Sequence, residues 1–400
     1  MAGMETRPWL PDVTGPPRRL VEALRLAGPV TRAQLVEQTG LSRATVSGYV
    51  AELADRGLVA PADPSGQLST GGRPAQLVRL TRRAGLVVGV DVGRTHVRVA
   101  VADLAHDVVG ERMTALDVAG LGPATVLDTV AAQVRAEVVR AGGDPGDVVG
   151  AVLGLPTPVL GGPANAPGTV ALSNILPTWS GSTPAVDLRD RLGVPVVVDN
   201  DANLGALAEV RWGAGVGSRC TVYLKMATGV GGALVLDGSL LRGTSGTAGE
   251  IGHVSLDPGG DVCRCGNRGC LELIAGGTAL LQAIRTAAPH YEDLRALVAG
   301  ATAGDQVCRR LIADAGTHVG IVLGGLVNTF NPDRIVVGGE LGTAGDLLVE
   351  PLRQSLARSA IPAATEHLTV VPGQLGGRAE VLGALAVALG EADRLAGRYG

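Results

Sequence analysis

Three of the five cysteines in this 400-residue chain, Cys263, Cys265 and Cys270, fall within eight positions, with His253 just upstream. Thiolates and an imidazole are the ligands tetrahedral zinc prefers, and a short glycine-containing loop can turn three sulfurs toward one point. Four protein ligands leave no coordination position open to water, so the expected ion is structural. A disulfide framework fits less well, because Cys220 and Cys308 stand alone and Met1 to Trp9 lacks the apolar core of a secretory signal. A loop of free cysteines is the plain alternative.

A second set of chemically capable groups ends the apolar run Val196 to Val198, where Asp199, Asn200, Asp201, Ala202 and Asn203 precede a helical pattern from Leu204 to Val210. Polar groups at the carboxyl end of a buried strand are where α/β proteins bind ligands. Asp201 is a candidate general base, able to take the proton of a sugar hydroxyl during phosphoryl transfer, and Asn200 can donate to and accept from a hydroxyl. The same residues also suit a helix cap, Asn203 in particular.

Two glycine turns flank this cluster. Leu86 to Asp103 is a pair of β-rich runs joined near Gly93, and Thr221 to Leu236 repeats the layout through Thr228-Gly229-Val230-Gly231-Gly232. The backbone amides of such a turn can cradle a phosphate while Asp91 faces a cation. Each is also readable as a plain hairpin; together they suggest a duplicated domain closing on a nucleotide. Candidate nucleotide contacts are Asp91, Gly93, Thr95, Thr228 and Gly229, with Gly338 and Gly339 in the run Ile335 to Glu340, which equally makes a strand and turn.

The elements that must position these groups belong to a globular chain. It is 46% hydrophobic and 18% charged with a net charge of −4, and its length allows two or three domains. The longest apolar run, Val319 to Val327, reads as a buried helix. Charge is uneven: residues 1–83 hold 11 arginines, no lysine and seven acids, a balance of +4 that leaves −8 for the remainder. A basic end on an acidic chain suits a partner with phosphates.

That basic end has helical periodicity. Arg18 to Leu26 reads as a first helix, Thr31 caps a second from Arg32 to Thr39, Gly40 ends it, and Arg43 to Arg56 is a third with Val46, Val50 and Leu53 on one face. This is helix, turn, helix. Pro61 to Pro74 and the strand-like Ala75 to Leu80 then form a wing. Ser42, Arg43, Thr45, Ser47 and Tyr49 are placed to enter a major groove, with Arg32 and Arg73 as further DNA contacts. Gly48 interrupts that surface and costs helix stability. A helical packing module without nucleic acid is the alternative.

The motifs together resemble the ROK family (repressors, open reading frames and kinases), specifically its winged-helix transcriptional members. They are Asp91 to Thr95, Asn200 to Asn203, Thr228 to Gly232, and above all Gly249-Glu250-Ile251-Gly252-His253 followed by the cysteine loop and Leu271-Glu272. The resemblance implies an α/β architecture: an N-terminal winged helix-turn-helix at 14–83, then a two-lobed actin-like (ribonuclease-H-like, sugar kinase/Hsp70-type) ROK domain at 84–400. Lobe 1 would take about 84–203 plus the C-terminal helix at about 383–397, and lobe 2 about 204–382. It also implies zinc on His253, Cys263, Cys265 and Cys270, and a sugar in the cleft held by Asn174, Asn200, Asp201, Glu250, His253 and Glu272. Trp179 would stack on the sugar ring or fill the core.

Departures from the family pattern fall on the nucleotide side. Sugar-phosphorylating members usually read Gly-Gly-Thr-Lys in the first hairpin, where this chain has Gly93-Arg94-Thr95-His96; Ala227 stands where they usually carry glycine. The expected function is a sugar-responsive DNA-binding regulator, a repressor released by its inducer, with structural zinc and neither ATP nor Mg2+. Its partners would be operator DNA, a sugar or sugar-phosphate effector, and a second copy in a homodimer or homotetramer, in the cytoplasm. The alternative is an ATP-dependent, glucokinase-like sugar kinase with Asp201 as base.

Overall fold

The computed structural model describes residues 15–62, 76–160, 168–170 and 175–397. The chain forms two compact units, one of 1–153, 184–197 and 384–400, the other of 154–183 and 198–383.

The first unit begins with three helices, α1 (Pro16–Ala27), α2 (Arg32–Thr39) and α3 (Arg43–Asp55), and a small sheet of β1 (Val30–Thr31), β2 (Val59–Ala62) and β3 (Leu77–Leu80) in the order β1-β3-β2. The second helix starts where Thr31 and Gln34 form a reciprocal capping box and stops at Gly40 in the left-handed conformation. Leu20, Val21, Leu24, Leu35, Val46, Val50 and Leu53 bury their side chains in this module. Strands β2 and β3 pair antiparallel as the base of the wing, and residues 63–75, which include Arg73, lie outside the described residues.

Next come β4 (Leu86–Val92), β5 (His96–Asp103), β6 (Val108–Ala115), α4 (Pro123–Arg140), β7 (Val148–Leu155), the short pair β8 (Val159–Leu160) and β9 (Thr169–Val170), α5 (Pro184–Leu192) and β10 (Val196–Asn200). Their five-stranded sheet runs β10-β7-β4-β5-β6, and every residue of β4 is buried, the charged Asp91 included. Within the first unit the winged module is tied down by buried Arg25, whose guanidinium donates to the Leu389 carbonyl, and by Arg79, which pairs with Asp103 at 3.2 Å and Asp107 at 2.7 Å.

The second unit contains the β8–β9 pair, α6 (Asp201–Trp212) and the strands β11 (Cys220–Met226), β12 (Val230–Leu236) and β13 (Ser239–Leu240), then α7 (Glu272–Ala275), α8 (Gly277–Ala287), α9 (Leu294–Ala303) and α10 (Gln306–Phe330). It continues with β14 (Arg334–Gly338), α11 (Gly339–Gly342), α12 (Asp346–Ser359), α13 (Pro362–Thr365) and β15 (Thr369–Pro372), and α14 (Ala379–Gly397) begins in it and continues into the first. Its sheet runs β13-β12-β11-β14-β15. Each large sheet thus has three consecutive strands at one side followed by two reached through helical connections. That is the duplication expected from the paired glycine hairpins.

The core of the second unit lies between the Val222, Leu224 and Met226 face of β11 and the helices α8 to α12. Among the described residues α10 is the one helix long and apolar enough to cross a membrane, yet it packs along α12 through a glycine stripe. A Cβ at Gly316 or Gly320 would lie 2.4 Å from the carbonyl oxygens of Leu348 and Leu352 respectively. Backbone against backbone leaves no room for a methyl group, so Gly320→Ala should lower unfolding stability by about 1–3 kcal/mol, measured by chemical denaturation.

Candidate functional site

His253, Cys263, Cys265 and Cys270 converge, as their spacing predicts: their ligand atoms all lie within 4.8 Å of one another. His253 ends a short 3-10 turn, Ile251–His253, and the cysteine loop folds back through Cys263 N–H to the Asn267 carbonyl at 2.7 Å. Gly269, with φ of 58°, turns the loop where a Cβ would collide with the Asp257 backbone. Two of the distances between ligand atoms match those around a tetrahedral ion. Metal–sulfur and metal–nitrogen bonds of zinc length give edges of about 3.8 Å between sulfurs and about 3.5 Å between sulfur and nitrogen. Cys265 Sγ and Cys270 Sγ are 3.7 Å apart, and Cys263 Sγ is 3.6 Å from His253 Nδ1.

The electrostatics agree with that donor set. Burial pulls the His253 imidazole below its usual range, favouring the neutral ring that coordinates metals. Burial and hydrogen bonds to the neighbouring thiols push Cys270 up to about 12. Three thiols this close do not all ionise without a cation among them, so these residues fit a divalent ion. With Nδ1 turned to the thiols, His253 Nε2 faces the other way, 3.9 Å from Glu250 Oε2.

The loop also delivers a residue that the motif reading missed. Arg264, between two of the cysteines, forms an ion pair with Glu272, whose Oε2 accepts from the Val230 N–H at 3.1 Å. Glu272 therefore joins the cysteine loop to the second glycine turn. Glu250 lies close enough to feel its neighbours: burial, then the charges of Asp201 and Glu272, push its carboxyl up to about 7, against the pull of Arg264.

Asn200, Asp201 and Asn203 sit where β10 passes into α6. The helix begins earlier than the apolar pattern suggests, at Asp201, and the cap is Asn200, not Asn203. Asn200 Oδ1 accepts from the Ala202 and Asn203 amides at 2.9 and 3.4 Å, and its Nδ2 donates to the Thr157 carbonyl at 3.2 Å. That fills its acceptor and leaves one N–H to donate. Asn203 instead donates to Asp199 at 2.9 Å, and Asp199 pairs with Arg242 at 2.8 Å. Asp201 Oδ2 is 2.7 Å from Lys225 Nζ, a partner that no motif named. Asn174 lies outside the described residues. Trp179 is fully buried, so it fills the core and is not a stacking surface.

In the two glycine turns and at Gly338 and Gly339 the glycines have packing reasons. Asp91 is buried and its Oδ2 accepts from His96 Nε2 at 2.9 Å, and a Cβ at Gly93 would lie 2.2 Å from the His96 ring. Thr95 is exposed. The Thr228 carbonyl accepts from the Thr278 amide at 2.9 Å, and a Cβ at Gly229 would meet Glu272 Oε2 at 2.1 Å. At Gly338 a Cβ would meet the Tyr223 hydroxyl at 2.3 Å; Gly339, with φ of 78°, would meet the Met226 carbonyl at 2.4 Å.

In the winged module Arg32, Ser42, Arg43 and Ser47 are exposed, Thr45 and Tyr49 half-buried. Ser42 is the cap of α3: its Oγ accepts from the Thr45 amide at 3.1 Å and bonds Thr45 Oγ1 at 2.7 Å. Gly48 faces open space.

Comparison with known families matches residues 87–391 to the ROK family and residues 12–67 to the MarR family. The chain belongs to the ROK family. A putative xylose repressor of Caldicellulosiruptor sp. (strain Rt8B.4) is 30% identical, covering 90% of this chain and 92% of that protein. A glucokinase of Halalkalibacterium halodurans is also 30% identical, covering 74% of this chain and 92% of the enzyme. Among solved structures, a ROK family transcriptional regulator described as a homologue of E. coli Mlc superposes with a TM-score of 0.73 at 24% identity, over 94% of this chain and 96% of the other. This ROK chain therefore has a MarR-type winged helix-turn-helix joined to the actin-like fold. Replacing the α6 cap tests the local assignment: Asn200→Ala should cost about 1 kcal/mol in denaturation, with Asn200→Ser recovering much of it.

Proposed function

We propose that this ROK protein is a sugar-responsive transcriptional repressor whose effector is an aldose or aldose phosphate bound beside the cysteine loop. One observation carries the reading. The similarity to a protein named as a xylose repressor spans 90% of the chain, whereas the similarity to the glucokinase leaves about a quarter of it uncovered. A winged helix with exposed Arg32, Arg43 and Ser47 would contact operator DNA, arginine reaching guanine and the hydroxyl a base or phosphate. Arg73 would act from the wing. Palindromic operators are read by symmetric pairs, so the working species would be a homodimer or homotetramer in the cytoplasm.

The effector site would comprise Asn174, Asn200, Asp201, Glu250, His253 and Glu272. Asn200 keeps one N–H to donate, the carboxylates accept from hydroxyls, and His253 Nε2 points to the Glu250 side. Zinc on His253, Cys263, Cys265 and Cys270 would supply structural rigidity, holding His253 and, through Arg264, Glu272 in fixed positions. Sites built from buried acceptors reject ligands that lack the matching hydroxyls. Effector binding weakens operator affinity by the ratio of effector affinities in the free and operator-bound states.

A kinase reading fits the carboxylates less well. One of the two Asp201 carboxylate oxygens, Oδ2, is paired with Lys225, and Asp91 is engaged by His96 within its own hairpin. Arg94 follows Gly93 in place of a second glycine. These features support a nucleotide site that no longer works, with Asp201 acting as an acceptor.

The test is operator binding to promoter DNA near the protein's own gene, with and without D-xylose, D-glucose and their 6- or 5-phosphates. Tight binding released by one sugar is expected; no binding at moderate salt would end the proposal. A coupled assay with ATP and hexoses should show no turnover, and turnover abolished by Asp201→Asn would favour the kinase. Metal analysis should find one zinc per chain, and Cys265→Ser should lose both zinc and the sugar response. A metal-free variant with an unchanged response would count against the clasp.

A further inference from the structure

The chain contains 34 basic lysine and arginine residues, and Lys225 is the only lysine. It does not sit on the surface. Its Nζ lies 2.7 Å from Asp201 Oδ2 and 2.8 Å from Glu380 Oε1, and the three side chains are 17%, 10% and 6% exposed. Asp201 opens α6 and Glu380 lies in the first turn of α14. The ammonium thus joins the proposed effector carboxylate to the helix that continues into the first unit.

The sheet around it is built to admit a slender cation. In register, Lys225 is flanked by Gly231 on β12 and Gly338 on β14, so neither neighbouring strand presents a side chain beside its stem. A Cβ at Gly231 would lie 3.1 Å from Ala202 Cβ, so β12 already packs tightly against the start of α6. A compact ammonium on a flexible stem fits between two carboxylates in such a slot, whereas a planar guanidinium needs a wider one. Stability alone does not call for this arrangement, because buried ion pairs are commonly matched by apolar groups of similar volume.

We propose that Lys225 is a positioning residue for the effector. By holding Asp201 Oδ2 it fixes the rotation of that carboxylate and keeps it a hydrogen-bond acceptor for a sugar hydroxyl, with Glu380 anchoring the ammonium from the other side. This rests on the aldose-binding reading above and adds the residue that orients its central acceptor.

A single lysine makes the test direct. The full-length protein, labelled with lysine carrying 13C at Cε and 15N at Nζ, gives one side-chain signal. Calorimetry identifies which of D-xylose, D-glucose and their phosphates binds, and the same sugar is then titrated while the Lys225 signal is followed. A saturable shift with the calorimetric midpoint is expected; a lysine that only braces the fold would not follow the sugar. Lys225→Met should weaken sugar affinity at least about tenfold. Where that variant fails to fold, the wild-type signal decides. Sugar binding detected by calorimetry with an unmoved Lys225 signal, or undiminished affinity in Lys225→Met, overturns this inference alone. No binding of any of these sugars overturns the aldose reading and this inference together.

Discussion

Buried carboxylates are the constraint on which the second unit depends. Asp201, Glu272 and Glu380 are largely withdrawn from water, and burial of a charge is tolerated only where a partner and hydrogen bonds replace the solvent. Two cations meet that demand. Lys225 serves Asp201 and Glu380, and Arg264 serves Glu272. Each is positioned by a different device: Lys225 by a central strand between glycine neighbours, Arg264 by a loop whose two adjacent cysteines converge with Cys270 and His253. Among the described residues Glu250 forms no ion pair with a lysine or arginine, and its carboxyl is raised by burial and by the charges of Asp201 and Glu272 against the pull of Arg264. The result is a graded set of acids: Asp201, Glu272 and Glu380 each face a cation, while Glu250 is pushed up to about 7.

The cysteine loop gains significance from this balance. A metal there would not touch the acids, yet the loop that holds it also carries Arg264, and the 3-10 turn that carries His253 starts at Glu250. Glu272 in turn accepts from the Val230 amide, so the loop, the short helix α7 and the second hairpin form one connected piece. Loss of the loop's geometry would release a guanidinium, an imidazole and a carboxylate at once. Local order around the ligands is thereby converted into order around the acceptors.

How much of this was legible depended on whether the partners were near in sequence. The winged module could be read because Thr31, Gly40 and the Val46, Val50, Leu53 face are local signals, and the convergence of His253 with three cysteines because three of the four fall in one loop. Asn203 is the cap of α6 that the sequence favours and Asn200 the one that forms, because Asn and Asp crowd four of five positions there and only the backbone geometry distinguishes which one precedes the helix. Trp179 carries no periodic signal to separate core from surface. Lys225 left one clue, its uniqueness among the basic residues, but its partners come from other elements, and no pattern along β11 names them.

The glycine motifs have packing reasons to persist that do not involve a bound phosphate. Gly93 accommodates the His96 ring, Gly229 the Glu272 carboxylate, Gly338 the Tyr223 hydroxyl, and Gly339 a left-handed turn against the Met226 carbonyl. Each would be retained by packing alone, whether or not a phosphate ever approached. Arg94, His96 and Ala227 are different, because each stands where a phosphate-binding hairpin prefers another residue. The informative positions in these hairpins are therefore Arg94, His96 and Ala227. It is there, and not in the persistent glycines, that the chain departs from the pattern of its sugar-phosphorylating relatives.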